Sequence, residues 1–178
     1  RSQALPGHLT WTVELQRTKA NVSNVLAVIP GTHPTRKHEI VVIGAHYDHL
    51  GYGHVGGFPG NQGKLHLGAD DNASGTGALL DMARAFQKKP AERTILLMAF
   101  AAEERGLLGS AHFVKNPTVD FKKIVSMINL DMVGRLRKNR LMVQGSGTAA
   151  IFEPLLKLTN GRARFNLKMG KSGYGPPD

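Results

Sequence analysis

Two adjacent carboxylates, Asp70 and Asp71, stand in the stretch Gly68-Ala69-Asp70-Asp71-Asn72-Ala73-Ser74-Gly75-Thr76-Gly77. Small capping residues follow them and then an apolar-periodic run from Ala78 to Phe86, so the acids fall in the turn that leads into a helix. Taken alone, they are first-turn acids of the kind that a helix N-terminus favours. They do not stand alone: His46 with Asp48, the pair Glu103-Glu104, and Asp131 follow the apolar runs Ile40 to Ala45, Ile95 to Phe100 and Ile124 to Leu130. Anions converging in one cleft raise one another's pKa unless a cation is present. Carboxylate oxygens mixed with imidazole nitrogen suit zinc ahead of manganese or cobalt, and an Asp between two ions can bridge them. A bridged pair polarises a carbonyl and generates hydroxide near neutral pH, so the chemistry indicated is hydrolytic.

The apolar runs are the elements that must position these groups. Glu39 to Ala45, Arg93 to Phe100 and Ile124 to Leu130 have the continuous apolar character of buried strands, with a helix from Ala73 to Lys88 between the first two. A second helix starts around Gly106 to Ser110 and runs towards Lys115, and a third is expected over Ala149 to Thr159. Leu141 to Gln144 and Arg164 to Lys168 are further strands, and upstream Thr10 to Arg17 and Asn24 to Pro30 read as a hairpin-like edge. Strands alternating with helices predict an α/β sandwich with a mixed, largely parallel central sheet. In such sheets the ligand site lies beyond the carboxyl ends of the strands. His46, the Glu103-Glu104 pair and Asp131 each come just after such an end, and Asp71 starts the intervening helix.

Between Leu50 and Leu67 the chain is rich in glycine. Gly51-Tyr52-Gly53-His54-Val55-Gly56 matches a dinucleotide fingerprint, yet Gly57, Phe58, Pro59 and Gly60 follow where that motif needs a helix, so it is rejected. The segment reads as a loop near the mouth of a site, and His49, His54 and His66 as exposed loop histidines outside the ligand set.

Composition narrows the classes. A chain of 178 residues with 41% hydrophobic content supports one domain with a real core. No apolar run approaches the roughly 20 residues of a membrane span. With no cysteine, a disulfide framework and a thiolate metal site are both excluded. The formal charge is +10, and six of the 13 acids lie in the motifs above, which leaves seven to offset 23 Lys and Arg elsewhere. Nine of those cations fall between Arg135 and Lys171, without interleaved aromatics or a nucleic-acid motif, so they read as solvated faces and no nucleic-acid partner is expected.

Gly44-Ala45-His46-Tyr47-Asp48, Gly68 to Gly75, Phe100 to Ser110 and Asn129-Leu130-Asp131-Met132 together resemble, in order and spacing, the M28 family of zinc metallopeptidases, over about Asn24 to Gly134. The resemblance implies a three-layer α/β/α, phosphorylase/hydrolase-like fold and an exopeptidase, most simply an aminopeptidase acting on peptides or proteins. It implies His46 and Asp131 as ligands of one zinc, Asp71 as the bridging ligand and Glu104 as a ligand of the second zinc. Glu103 takes the general acid/base role, Asp48 orients His46, and Asp70 receives no role. A cis peptide at Asp71-Asn72 is expected on the same ground. Same-fold glutaminyl cyclases, which use a single zinc, and a non-catalytic binding scaffold are the alternatives.

The resemblance also sets expectations about what this chain lacks. A fifth ligand, a late His, would follow a Gly-rich turn, and Gly173 to Asp178 looks like that turn. Residues 1–178 thus read as an incomplete catalytic domain: an edge segment over 1–20, a core over 21–169 and a tail over 170–178. Arg1 reads as an internal cut, with an export signal lost before it and a secreted or periplasmic parent protein. The ion of His46, Asp71 and Asp131 would keep its three ligands, whereas the other, left with Asp71 and Glu104, would bind loosely or not at all. Activity of the fragment would be weak, and its open sheet would invite oligomerisation.

Overall fold

The computed structural model describes residues 7–8, 10–14 and 19–174. Strand β1 is Val25–Ile29, β2 Ile40–His46, β3 Thr94–Phe100 and β4 Ile124–Asn129, and they form one sheet in the order β1-β3-β2-β4. β2 runs parallel to both β3 and β4, while β1 is antiparallel to β3. Six of the seven residues of β2 are buried, as its β-branched, unalternating sequence requires of a strand covered on both faces.

Helix α1 (Ala73–Lys88) covers one face. Leu79, Met82, Ala83 and Phe86 recur at helical spacing and pack on Ile43, Ala45, Ile95 and Leu97. Lys89 caps its end, and Pro90 prevents continuation. Helix α2 (Leu108–Lys115) covers the other face, where Phe113 joins Ile40, Val42, Leu96, Met98 and Phe100. Helices on both faces of a mixed sheet make the three layers. Because β2, β3 and β4 point the same way, their carboxyl ends meet at one edge.

Downstream, β5 (Arg140–Val143) and β6 (Asn166–Met169) pair in parallel as a separate two-stranded ladder, connected through α3 (Phe152–Ala163). The third helix therefore starts and ends later than the 149–159 expected. Pro154 explains the start: it sits in the first turn of α3, where a missing N–H costs nothing, but a helix begun at Ala149 would have buried it in the interior. Thr148 instead closes a turn on the Gly145 carbonyl through both its backbone N–H and its hydroxyl.

The alternating pattern from Thr10 forms no strand over residues 10–14, and Leu15 to Arg17 lie outside the described residues. Trp11 and Val13 find no apolar surface and are exposed, so β1 owes its pairing to β3 rather than to a hairpin. Among the described residues no helix is long and apolar enough to cross a membrane. No helix follows Gly56, in keeping with the rejected dinucleotide motif.

Candidate metal centre

His46, the last residue of β2, has a side chain only 3% exposed, and Thr76 of α1 donates to its carbonyl at 2.9 Å. Its Nε2 lies 3.3 Å from Asp131 Oδ1 and 3.3 Å from Asp71 Oδ1. Two donors on a tetrahedral zinc, each about 2.0–2.1 Å from the ion, stand about 3.3 Å apart. The donor set His46, Asp71 and Asp131 fits such an ion in both chemistry and spacing, with its ligand atoms all within 4.8 Å of one another.

Asp71 faces two ways. Its Oδ1 is turned to His46, and its Oδ2 lies 3.6 Å from His49 Nδ1. His49 Nδ1 is in turn 2.7 Å from Glu104 Oε1, so His49, Asp71 and Glu104 make a second group of three donors. Sequence reasoning left His49 out as one more loop histidine. Its signal was its position three residues after His46, close enough to the strand end to share the same edge. His54 is exposed, as expected of it.

The backbone beneath the ligands is tied together by side chains. Asn72, 2% exposed, caps α1 by accepting from Gly75 N–H at 3.0 Å, and the same oxygen accepts from Met132 N–H at 3.3 Å. Its amide nitrogen donates to the Leu130 carbonyl at 2.9 Å. One side chain therefore joins the turn that carries Asp71 to the strand end that carries Asp131. Gly75 lets them meet: a Cβ there would stand 2.4 Å from both Asn72 Oδ1 and the Leu130 oxygen. The Asp71-Asn72 peptide is cis.

Asp70 completes the join from the other side. Its carboxylate accepts from Gly134 N–H at 2.8 Å and from Arg135 Nε, and the Arg135 bond is the chief reason its pKa lies below the ordinary carboxylate value. Ser74 donates to the Asp70 carbonyl and accepts from Val133 N–H.

Asp48 acts differently from the expectation. His46 Nδ1 is held by the Asp48 backbone carbonyl at 3.1 Å, whereas the carboxylate is 3.8 Å away. That carboxylate instead accepts from Glu103 N–H at 3.0 Å and Glu104 N–H at 3.3 Å. The two glutamates are not a continuation of β3. They occupy a 3-10 turn, Glu103–Arg105, entered through Ala102 in the left-handed region at φ 55°, and it is this turn that separates their side chains.

Burial disfavours a charged His46, but Asp131, Glu103, the Asp48 carbonyl and Asp71 outweigh it and raise its pKa above the ordinary 6.5. Carboxylates this close to the ring favour its protonated form. A cation would take over the proton's role. Beside the site, Tyr47, Leu67, Leu80, Asp48, His49 and Asn72 are among the residues that line a cavity of about 340 Å³.

The model of peptidase family M28 matches residues 24–174. Aminopeptidase YwaD of Bacillus subtilis is 40% identical over 97 residues, 54% of this chain and 18% of that protein. An aminopeptidase of Pseudomonas aeruginosa is 31% identical over 148 residues, 83% of this chain and 25% of its own length. Among solved structures, the zinc aminopeptidase BSAP from Bacillus subtilis is similar with a TM-score of 0.64 and 30% identity, over 84% of this chain and 35% of that one. The chain thus spans about a quarter or less of these two curated relatives.

Proposed function

This chain belongs to peptidase family M28, and from that premise we propose that the full protein is a zinc-dependent aminopeptidase with two ions bridged by Asp71. The reading assigns His46, Asp71 and Asp131 to one ion, and Asp71 with Glu104 to the other. Its main support is the pair of 3.3 Å separations around His46 Nε2, which match the edge of a zinc tetrahedron. The two oxygens of Asp71, turned to opposite donor groups, favour the bridge. Relatives named aminopeptidase and a similar solved zinc aminopeptidase favour that substrate class.

Zinc held there supplies a Lewis acid and hydroxide near neutral pH. The remaining steps belong to the chain. A Glu103 carboxylate oxygen accepts a proton from the attacking water and returns it to the leaving amine nitrogen. Asp48 keeps Glu103 and Glu104 in place by taking both their backbone N–H groups. Tyr47, Leu67 and Leu80 offer an apolar wall for a substrate side chain.

Release of free amino acids from unblocked peptides by the full-length protein, with and without chelator, tests this reading. Loss of release on chelation and in Glu103→Ala is expected. Release untouched by either refutes hydrolysis at this site, and cyclisation of N-terminal glutamine in its place assigns the site to a cyclase instead.

A further inference from the structure

We propose that Asn24 is a positioning residue for Glu103, gripping from the edge of the sheet the two ends of the turn that carries it. The proposal rests on the role given to Glu103 above and adds the residue that holds its backbone from the far side.

Asn24 immediately precedes β1, whose Val25 pairs with Ala99, and this antiparallel register brings Asn24 level with the carboxyl end of β3. There its side-chain oxygen accepts from Ala101 N–H at 3.0 Å, and its amide nitrogen donates to the Gly109 carbonyl at 2.8 Å. Ala101 follows β3 directly and Gly109 lies in the first turn of α2, so one amide spans both feet of the loop 102–108. An amide suits both feet, since it presents an acceptor and a donor side by side, whereas a carboxylate has no donor for Gly109. Gly109 permits the approach: a Cβ there would stand 2.3 Å from the Ala101 oxygen and 2.4 Å from Asn24 Oδ1.

The loop needs such a grip. Ala102, Gly106 and Leu107 all have φ in the left-handed region, at 55°, 96° and 60°, and two of them carry a Cβ. Residues in that region hold their place only where their surroundings enforce it. From within, the loop is closed by Leu108 N–H on the Ala102 carbonyl and by Gly106 and Leu107 N–H on that of Glu103. From the site, Asp48 takes the N–H groups of Glu103 and Glu104. Asn24 supplies the hold on the ends. Ala101 is 2% exposed, so its N–H, left without Asn24, regains a partner only if the strand end moves. Glu103 stands two residues further on, and a displacement of about 1 Å at a reacting group can cost on the order of 100-fold in rate.

Steady-state kinetics of the full-length protein at saturating zinc, on an unblocked dipeptide and on the matching amino-acid p-nitroanilide, provide the test. Both substrates need the base, but the leaving amine of the anilide is far less basic and needs little protonation, so a displaced Glu103 penalises the dipeptide more. In Asn24→Leu, which keeps approximate volume, kcat on the dipeptide is expected to fall roughly tenfold or more with KM little changed, and kcat on the anilide to fall less. Val25→Thr, at the exposed neighbouring position, is expected to match the wild type. Gly109→Ala, which parts the two feet without removing a hydrogen-bonding group, is expected to repeat the Asn24→Leu pattern and carries the test if that variant fails to fold. Wild-type kcat in folded Asn24→Leu overturns the proposal, as do equal losses on both substrates, the result that a smaller folded fraction would give. A wild type whose amino-acid release survives Glu103→Ala refutes the underlying reading, and the proposal with it.

Discussion

Replacing Asn72 by Ala should loosen the protein and the metal centre together. Three hydrogen bonds are removed at a residue that is 2% exposed. Loss of the cap on α1 costs about 1 kcal/mol. The Leu130 carbonyl loses its 2.9 Å donor, and an acceptor left unpaired in so enclosed a place costs about 1–3 kcal/mol. Met132 is 43% exposed, so water can replace the bond to its N–H and that loss adds little. The sum is about 2–4 kcal/mol, which for a domain of this size lowers Tm by roughly 4–16 °C. Asn72→Ser separates the two contributions, because a serine still caps the helix but is too short to reach Leu130. It should recover about 1 kcal/mol relative to Ala. Urea unfolding of the zinc-free full-length protein and both variants measures this. A loss under about 0.5 kcal/mol in Asn72→Ala, or no recovery in Asn72→Ser, would refute the view that one side chain joins the Asp71 and Asp131 turns.

Other perturbations test the layers around that join. Leu96→Ala, in a side chain 1% exposed at the centre of β3, should cost about 2–5 kcal/mol in denaturant unfolding; a change near zero would contradict the packing of the sheet between α1 and α2. Asp70→Ala frees the Gly134-Arg135 backbone and should weaken zinc binding up to about tenfold by titration, with unchanged affinity counting against a positioning role. His46 has a raised pKa in the folded apoprotein, so the stability it contributes is full below about 6.5 and is lost as pH rises through the raised value. Apoprotein unfolding midpoints should fall over that window, while zinc affinity should fall in the opposite direction, as pH drops below the raised value and protons compete for the ring. Flat profiles in both measurements would show that His46 does not feel its acidic neighbours.

Much of the fold was legible because its signals are local and strong. β2 and β3 carry unbroken apolar runs, and α1 repeats leucine, methionine and phenylalanine at helical spacing behind a clear cap, so its bounds emerge as expected at Ala73–Lys88. The α3 start was misread because apolar periodicity outweighed Pro154, which alone sets where that helix can begin. The Thr10 segment misled for the opposite reason: alternation marks a surface fit for a sheet, but a strand also needs a partner, and partners are non-local. At the site, the strand-end rule brought His46, Glu103, Glu104 and Asp131 to one edge and Asp71 to the helix start. It could not reach His49, whose place depends on Gly68 passing under its ring and His66 standing beside it, neither of which has a one-dimensional signature. Nor could it tell that Asp48 would use its carbonyl for His46 and keep its carboxylate for the glutamate turn.

That division of labour explains how so many carboxylates tolerate one edge of the sheet before any ion arrives. The chain supplies hydrogen-bonding partners: Asp48 takes two backbone N–H groups, Asp70 an N–H and a guanidinium, Glu104 meets the His49 ring, and Asp71 and Asp131 share His46. The acids split into two kinds by what they hold. Asp48 and Asp70 bind backbone, and so fix the turns of Glu103-Glu104 and of Asp131; Asp71, Glu104 and Asp131 face the ring nitrogens of His46 and His49. A histidine proton can be exchanged for a metal ion, whereas a backbone N–H cannot. Substitutions of the backbone-binding acids should therefore lower the stability of the metal-free protein, and substitutions of the histidine-facing acids should spare or even raise it at a pH above the raised His46 value, where the ring is neutral and the substitution relieves carboxylate repulsion. Metal-free unfolding of Asp48→Asn against Asp71→Asn at such a pH tests this: equal destabilisation of both would refute the separation of scaffold acids from ligand acids.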